Sequence, residues 1–181
     1  LKGKNVYFLT GTDEHGQKVE KEAINSKLKP NDFVNQMSKH FRDLIPFLGC
    51  NIDDFIRTTE QRHIKASQYL WKKLYDNNQI YLSNYEGWYS VSDEAYYDED
   101  EIETRDKQKY SKISGSKVEW VEEESFFFRL SKWQDELLSF YERNPKFILP
   151  KSRKNEVVQF VRKGLKDLSV SRTSFSWGIP V

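Results

Sequence analysis

"FLTGTDEHGQKVE", Phe8 to Glu20, sets apolar and hydroxylated residues suited to a strand directly against Gly-Thr-Asp-Glu-His-Gly, with a charged helical pattern behind it. Val6 to Thr10 reads as a short buried strand, and a helix follows from about Gln17, with Val19, Ala23, Ile24 and Leu28 at helical spacing. Asp13, Glu14 and His15 fall where the strand ends. Three readings fit them. Acidic residues there can cap the helix and offset its dipole. Asp-x-His can supply two metal ligands, although the only other histidines, His40 and His63, sit within helical patterns. A carboxylate at a strand's carboxyl end can also hold a substrate ammonium group, with the histidine shaping the cavity.

Outward from this stretch, "KPNDF" restarts a helix at Pro30, and Phe33, Val34, Met37, Phe41, Leu44 and Ile45 form one apolar stripe before Pro46 and Gly49. "DDFIRTT" is a second short strand, and Thr58 or Thr59 is placed to cap the next helix. Ile64, Ser67, Leu70, Trp71, Leu74 and Tyr75 mark that helix's inner face, and Asn77-Asn78 stops it. Strand, helices, strand is the order of a parallel α/β sheet, which binds ligands at the carboxyl ends of its strands.

From Ile80 the pattern changes to aromatic-rich segments broken by Asn, Gly, Asp and Glu, which predicts short antiparallel strands. Thr104 to Lys117 is polar and predicts a mobile surface loop; the lysines of Lys107 to Lys117 can touch RNA phosphates, but a solvated loop is the preferred reading. "VEWVEEESFFFRL" resumes strand character, with Glu122 to Glu124 read as a solvated edge. "SKWQDELLSFYERN" predicts an amphipathic helix with Trp133, Leu137, Leu138 and Tyr141 inward, a further helix covers Arg153 to Leu165, and "LSVSR" is a last short strand. Ser90 and Asp93 have the spacing of a knuckle turn, but no second such pair is evident downstream, and serine is a poor zinc ligand. Arg172 follows the last strand and suits a phosphate, a carboxylate or a structural ion pair. The fold class is therefore α/β, a parallel sheet interrupted by a small α+β insertion.

The bulk numbers narrow the class. With 12 Phe, 10 Tyr and 5 Trp in 181 residues, the chain has ample aromatic side chains for a core. A net charge of +1 gives no global pull toward nucleic acid or membrane. One cysteine, Cys50, excludes an internal disulfide and a cysteine-ligated zinc site, and favours a reducing compartment. No apolar run approaches the ~20 residues of a membrane span. No phosphate-cradling glycine loop or Ser-His-Asp arrangement is present. The chain starts at Leu1 and stops on "WGIPV", as expected of an internal piece of a longer protein.

Six segments in this order carry more than any one of them: "FLTGTDEHGQKVEKEA", "DDFIRTTEQRH", "EGWYSVSDEAYYDEDEI", "SFFFRLSKWQDELLSFYERNP", "RKNEV" and "LSVSRTSFSWGIPV". The chain resembles the methionyl-tRNA synthetases over essentially all of its length. That resemblance implies a Rossmann-type class I catalytic domain split by a connective peptide, with 1–79 and 151–181 in the catalytic domain and 80–150 as the insertion. It implies an enzyme that uses ATP and Mg²⁺ to make methionyl-adenylate and then charges tRNA(Met), in the cytoplasm or an organellar matrix and without a membrane. Asp13 matches the family's ligand for the methionine α-amino group, His15 the histidine lining that cavity, and Arg172 the catalytic arginine linked to adenylate formation. Many members carry Cys-x-x-Cys knuckles where Ser90 and Asp93 stand here, so no zinc is expected. The family's HIGH and KMSKS segments are absent from this stretch, which is expected to be inactive by itself. A non-catalytic tRNA- or protein-binding module on the same fold is the alternative; a synthetase for another amino acid is disfavoured by the short insertion.

Overall fold

The computed structural model describes residues 3–181. The chain folds as two compact units: the first comprises the stretch up to Lys73, Gly87–Val121 and Ser174–Val181, the second Leu74–Glu86 and Glu122–Thr173.

In the first unit, β1 (Leu9–Thr12) pairs in parallel with β2 (Asp54–Arg57), Gly11 opposite Ile56 and Thr12 opposite Arg57. The first strand thus starts three residues later than its apolar run suggests; Val6, Tyr7 and Phe8 are exposed, and register with β2 decides which residues pair. Between the strands run α1 (Gln17–Asn25) and α2 (Pro30–Phe47), with Pro30 in the first turn of α2 where its missing N–H is harmless. Ala23 and Val34 are buried, as the spacing predicts, but Phe41 and Leu44 of the same stripe stand exposed. Helix α3 (Gln61–Asp76) follows β2, and its inner face is only half covered, with Leu70 and Tyr75 exposed.

The antiparallel part is more ordered than its sequence suggests. Strand β3 (Ile80–Ser90) pairs with β4 (Ala95–Tyr97), and β5 (Ile102–Arg105) with β6 (Gln108–Ser111), which pairs in turn with β7 (Lys117–Phe128). The expectation of a mobile loop over Thr104–Lys117 is therefore corrected: much of it is a hairpin. Asp106 and Lys107 both take positive φ (48° and 65°), the conformation of a two-residue turn whose twist matches the strands. Its strands are polar, so they leave no hydrophobic alternation to read. Trp88 meets Trp120 edge to face at 5.2 Å, and the Lys109 ammonium sits 4.1 Å over the Trp88 ring.

In the second unit β7 pairs with β8 (Leu168–Ser169), and helices α4 (Gln134–Arg143) and α5 (Lys151–Arg162) pack together. Both helices fall within three residues of their expected bounds. The buried Ser125 hydroxyl bonds Ser169 Oγ at 2.6 Å and donates to the Ser171 carbonyl at 3.0 Å, binding the strand "LSVS" to β7.

Gly11 is where the parallel pair is tightest. A Cβ there would lie 1.8 Å from the Ile56 carbonyl oxygen, a backbone atom that cannot turn away. Gly11→Ala should therefore destabilise the protein by at least about 3 kcal/mol, read as a lower denaturation midpoint or loss of soluble protein. A wild-type midpoint would contradict the close approach.

Candidate active site

The loop after β1 carries the candidate site, and its central residue is Glu14. Its side chain is 2% exposed. Oε1 accepts from Arg57 Nε and from Thr12 Oγ1, each at 2.7 Å, and Oε2 accepts from Thr59 Oγ1 at 2.5 Å. The Glu14 amide donates to Thr58 Oγ1 at 2.9 Å, and the Thr58 amide to the Thr12 carbonyl. Burial pushes the carboxyl up, but the bonds from Arg57, Thr12 and Thr59, with the arginine's charge, outweigh it and hold the group below its ordinary 4.5.

Two expectations are corrected here. Helix α1 has Gly16 at its N-cap with no side-chain capping bond, so neither Asp13 nor Glu14 caps it. Thr58 and Thr59 spend their hydroxyls on Glu14 rather than on the start of α3. A carboxylate that meets an arginine 43 residues away gains more than one at a solvated helix end.

The C-terminal segment closes on the same loop. Trp177 Nε1 donates to the Glu14 carbonyl at 2.6 Å, and the Gly16 amide donates to the Trp177 carbonyl at 3.1 Å. The Trp177 ring lies 5.4 Å from His15, tilted by 51°. Gly16 takes φ 108°, and a Cβ there would come within 3.2 Å of the Glu94 carboxylate. The backbone conformation is one that glycine adopts without strain.

Glu14 is committed inward, and Asp13 and His15 take no part in its hydrogen bonds. Asp13 is exposed, and its carboxylate has no hydrogen-bond or ion-pair partner among the described residues. His15 is half-buried. Burial pulls its pKa below the ordinary 6.5, Asp13 and Glu14 pull it upward, and His63 adds to the downward side. The imidazole is therefore neutral at pH 7. Arg57 Nη2 and His63 Nδ1 are buried without a hydrogen-bond partner, so this unit holds polar capacity that the protein itself does not use.

Arg172 belongs to the second unit. Its Nη1 donates to Ser169 Oγ at 2.6 Å and to the Ser171 carbonyl at 2.7 Å, and its Nε lies 3.8 Å from Glu123 Oε1. Glu123 is buried and accepts from the Thr173 amide and hydroxyl, so it is not the solvated edge its neighbours suggest.

The knuckle position holds a hydrogen-bond network. Asp93 accepts from Ser114 Oγ at 2.6 Å, from the Tyr97 hydroxyl at 2.8 Å and from Ser116 Oγ at 2.8 Å; Ser114 and Tyr97 foremost pull its carboxyl down to about 2. Ser90 Oγ accepts the Asp93 amide. Ser111 Oγ likewise accepts the amides of Ile113 and Ser114. Ser111-x-x-Ser114 is thus a second turn of the same kind, missed because two serines carry no ligand signal. One carboxylate among hydroxyls is not the thiolate set that zinc favours, and no group of three potential His, Cys, Asp or Glu ligands occurs among the described residues. No helix among them is long and apolar enough to cross a membrane.

Comparison with known proteins agrees with this architecture. The family described as "tRNA synthetases class I (M)" matches residues 1–109 and 106–181, and the chain belongs to that family. Its Rossmann-type parallel sheet with an insertion follows from the structural match. Methionine–tRNA ligase of Rickettsia typhi is 60% identical over 99% of this chain, and that of Brucella melitensis 54% over 100%. The Mycobacterium tuberculosis methionyl-tRNA synthetase in complex with methionyl-adenylate superposes with a TM-score of 0.93 at 45% identity, over 99% of this chain and 35% of that one. The chain spans about a third of the length of these relatives, 34% of the Rickettsia typhi protein and 35% of the Brucella melitensis protein.

His15 should titrate below 6.5 by NMR, and Trp177→Ala should move the midpoint back up as water reaches the ring. Because the unfolded chain takes this proton first, His15's contribution to stability is complete above 6.5 and declines as pH falls below it. A midpoint at or above 6.5 would contradict the burial of the ring.

Proposed function

We propose that the chain is part of a methionine–tRNA ligase, and that Asp13 holds the α-amino group of methionine. The observation that carries this is an exposed carboxylate with no protein partner, at the carboxyl end of a parallel strand, beside a neutral, half-buried imidazole. An ammonium group fits that carboxylate by charge and hydrogen bonding. His15, uncharged, walls the cavity without repelling it. Trp177 fixes the ring's position, and Glu14 fixes the loop without competing for the substrate.

In this reading the full-length enzyme activates methionine with ATP and Mg²⁺ and transfers it to tRNA(Met). The methionyl-adenylate named in the mycobacterial neighbour supports ATP as the second substrate. Arg172 serves the phosphate-bearing side, its guanidinium held ready by Ser169, Ser171 and Glu123. Catalysis here is positioning and charge stabilisation at the α-phosphate, with no covalent intermediate on a side chain. The boundaries 1–79, 80–150 and 151–181 for catalytic domain, insertion and return belong to the same reading, as does a knuckle region that needs no zinc because Asp93 cross-links it.

In the full-length protein, Asp13→Ala should raise the methionine concentration needed for pyrophosphate exchange at least ten-fold, as loss of a charged hydrogen bond does. The ATP requirement should change little. Unchanged methionine dependence would remove Asp13 from the site, and tRNA binding without any exchange would favour the non-catalytic module. Zinc in stoichiometric amount after purification would overturn the metal-free knuckle.

A further inference from the structure

In the second unit, α4 and α5 enclose a cleft of about 430 Å³ on the protein surface. Lys154, Asn155, Val158, Gln159 and Arg162 line it from one face of α5, and Tyr141 from α4. Eight residues separate its two cations, about 12 Å along a helix, with two side-chain amides between them. Tyr141 also stacks on Phe147 at 6.2 Å and 23°, and the Phe147 ring is 64% exposed. An aromatic surface thus runs into a cation-lined groove.

The charge around it is lopsided. Residues 142–163 hold seven cations and two anions in a chain whose net charge is only +1. Arg153 is taken by Glu156 at 2.6 Å, and Arg143 Nε donates to the Ser139 carbonyl. Lys146, Lys151, Lys154, Arg162 and Lys163 have no ion-pair partner among the described residues. One carboxylate, Glu142, stands on the α4 wall and opposes an anionic ligand.

Unpaired cations and side-chain amides in one groove, with the half-buried Tyr141 on its wall and the exposed Phe147 stacked beside it, are the combination that accepts nucleic acid, cations on phosphates, rings under bases and amides on base edges. We propose that this cleft docks the sugar-phosphate backbone of tRNA, with Lys154 and Arg162 on phosphates and Phe147 offered to an unpaired base. Which RNA it takes rests on the synthetase reading above; that it takes RNA rests on the groove.

The test is titration of full-length protein with a tRNA(Met) transcript across a series of salt concentrations. Lys154→Glu combined with Arg162→Glu should weaken binding at least ten-fold and lower the slope of log affinity against log salt by about two, one for each phosphate no longer neutralised. Glu142→Gln should tighten binding, a sign that misfolding cannot produce. Methionine-dependent pyrophosphate exchange, which needs no tRNA, should stay at wild-type rate in both variant proteins. Unchanged affinity and slope in the double variant would overturn the groove, as would binding of polyglutamate in place of tRNA with the same dependence on Lys154 and Arg162. Absence of exchange in the wild type would remove the synthetase reading and leave the groove to be judged on the tRNA titration alone.

Discussion

The first unit depends on one buried ion pair. Glu14 and Arg57 meet at 2.7 Å at the ends of two adjacent parallel strands, with the carboxylate almost fully out of water. Removing two charges from water is costly, and a bare pair inside a protein gains little. Here Thr12 and Thr59 also donate to the carboxylate, so with Arg57 three of its about four acceptor sites are used. Such a site tolerates one arrangement of the chain and penalises others. A shift of β1 by one residue would turn Glu14 outward and bury Asp13 or His15 in its place, with no arginine-threonine set shaped for either.

The arrangement of the strand end follows from that constraint. The three successive ionisable residues at this strand end divide by direction. Glu14 goes inward to Arg57, His15 goes against Trp177, and Asp13 is left in water without a partner. The two glycines on either side serve the same geometry. Gly11 lets β1 approach the Ile56 carbonyl, and Gly16 turns the chain into α1 beneath Glu94. The indole of Trp177 ties the C-terminal segment to the loop through the Glu14 carbonyl.

What could be read from the sequence was what local periodicity records. The bounds of α1, α4 and α5 and the parallel order of the first elements were legible because apolar spacing and proline position report them directly. Asp13 and His15 could be singled out by residue type and by their place after a strand, and Arg172 by its place after a later one. Glu14 could not. Its partners lie 43 and 45 residues away, and only the pairing of β1 with β2 brings them near. The same holds for Glu123, which bonds Thr173 fifty residues on, and for Ser111-x-x-Ser114, whose role is visible only when Asp93 arrives from another hairpin. Capping rules misassigned Thr58 and Thr59 for this reason: a helix end offers a hydroxyl less than a buried carboxylate does.

The claim that Glu14 and Arg57 are coupled rather than merely adjacent is tested by a double-mutant cycle on unfolding free energy, using Glu14→Gln, Arg57→Gln and the pair. Removing one partner of a buried pair costs about 3–5 kcal/mol, and the account predicts a coupling of more than about 2 kcal/mol at pH 7. Because the folded-state pKa of Glu14 is lowered, that coupling should be complete above 4.5 and disappear as pH falls through the folded value. Additive single variants at pH 7, or a coupling indifferent to acid, would contradict it.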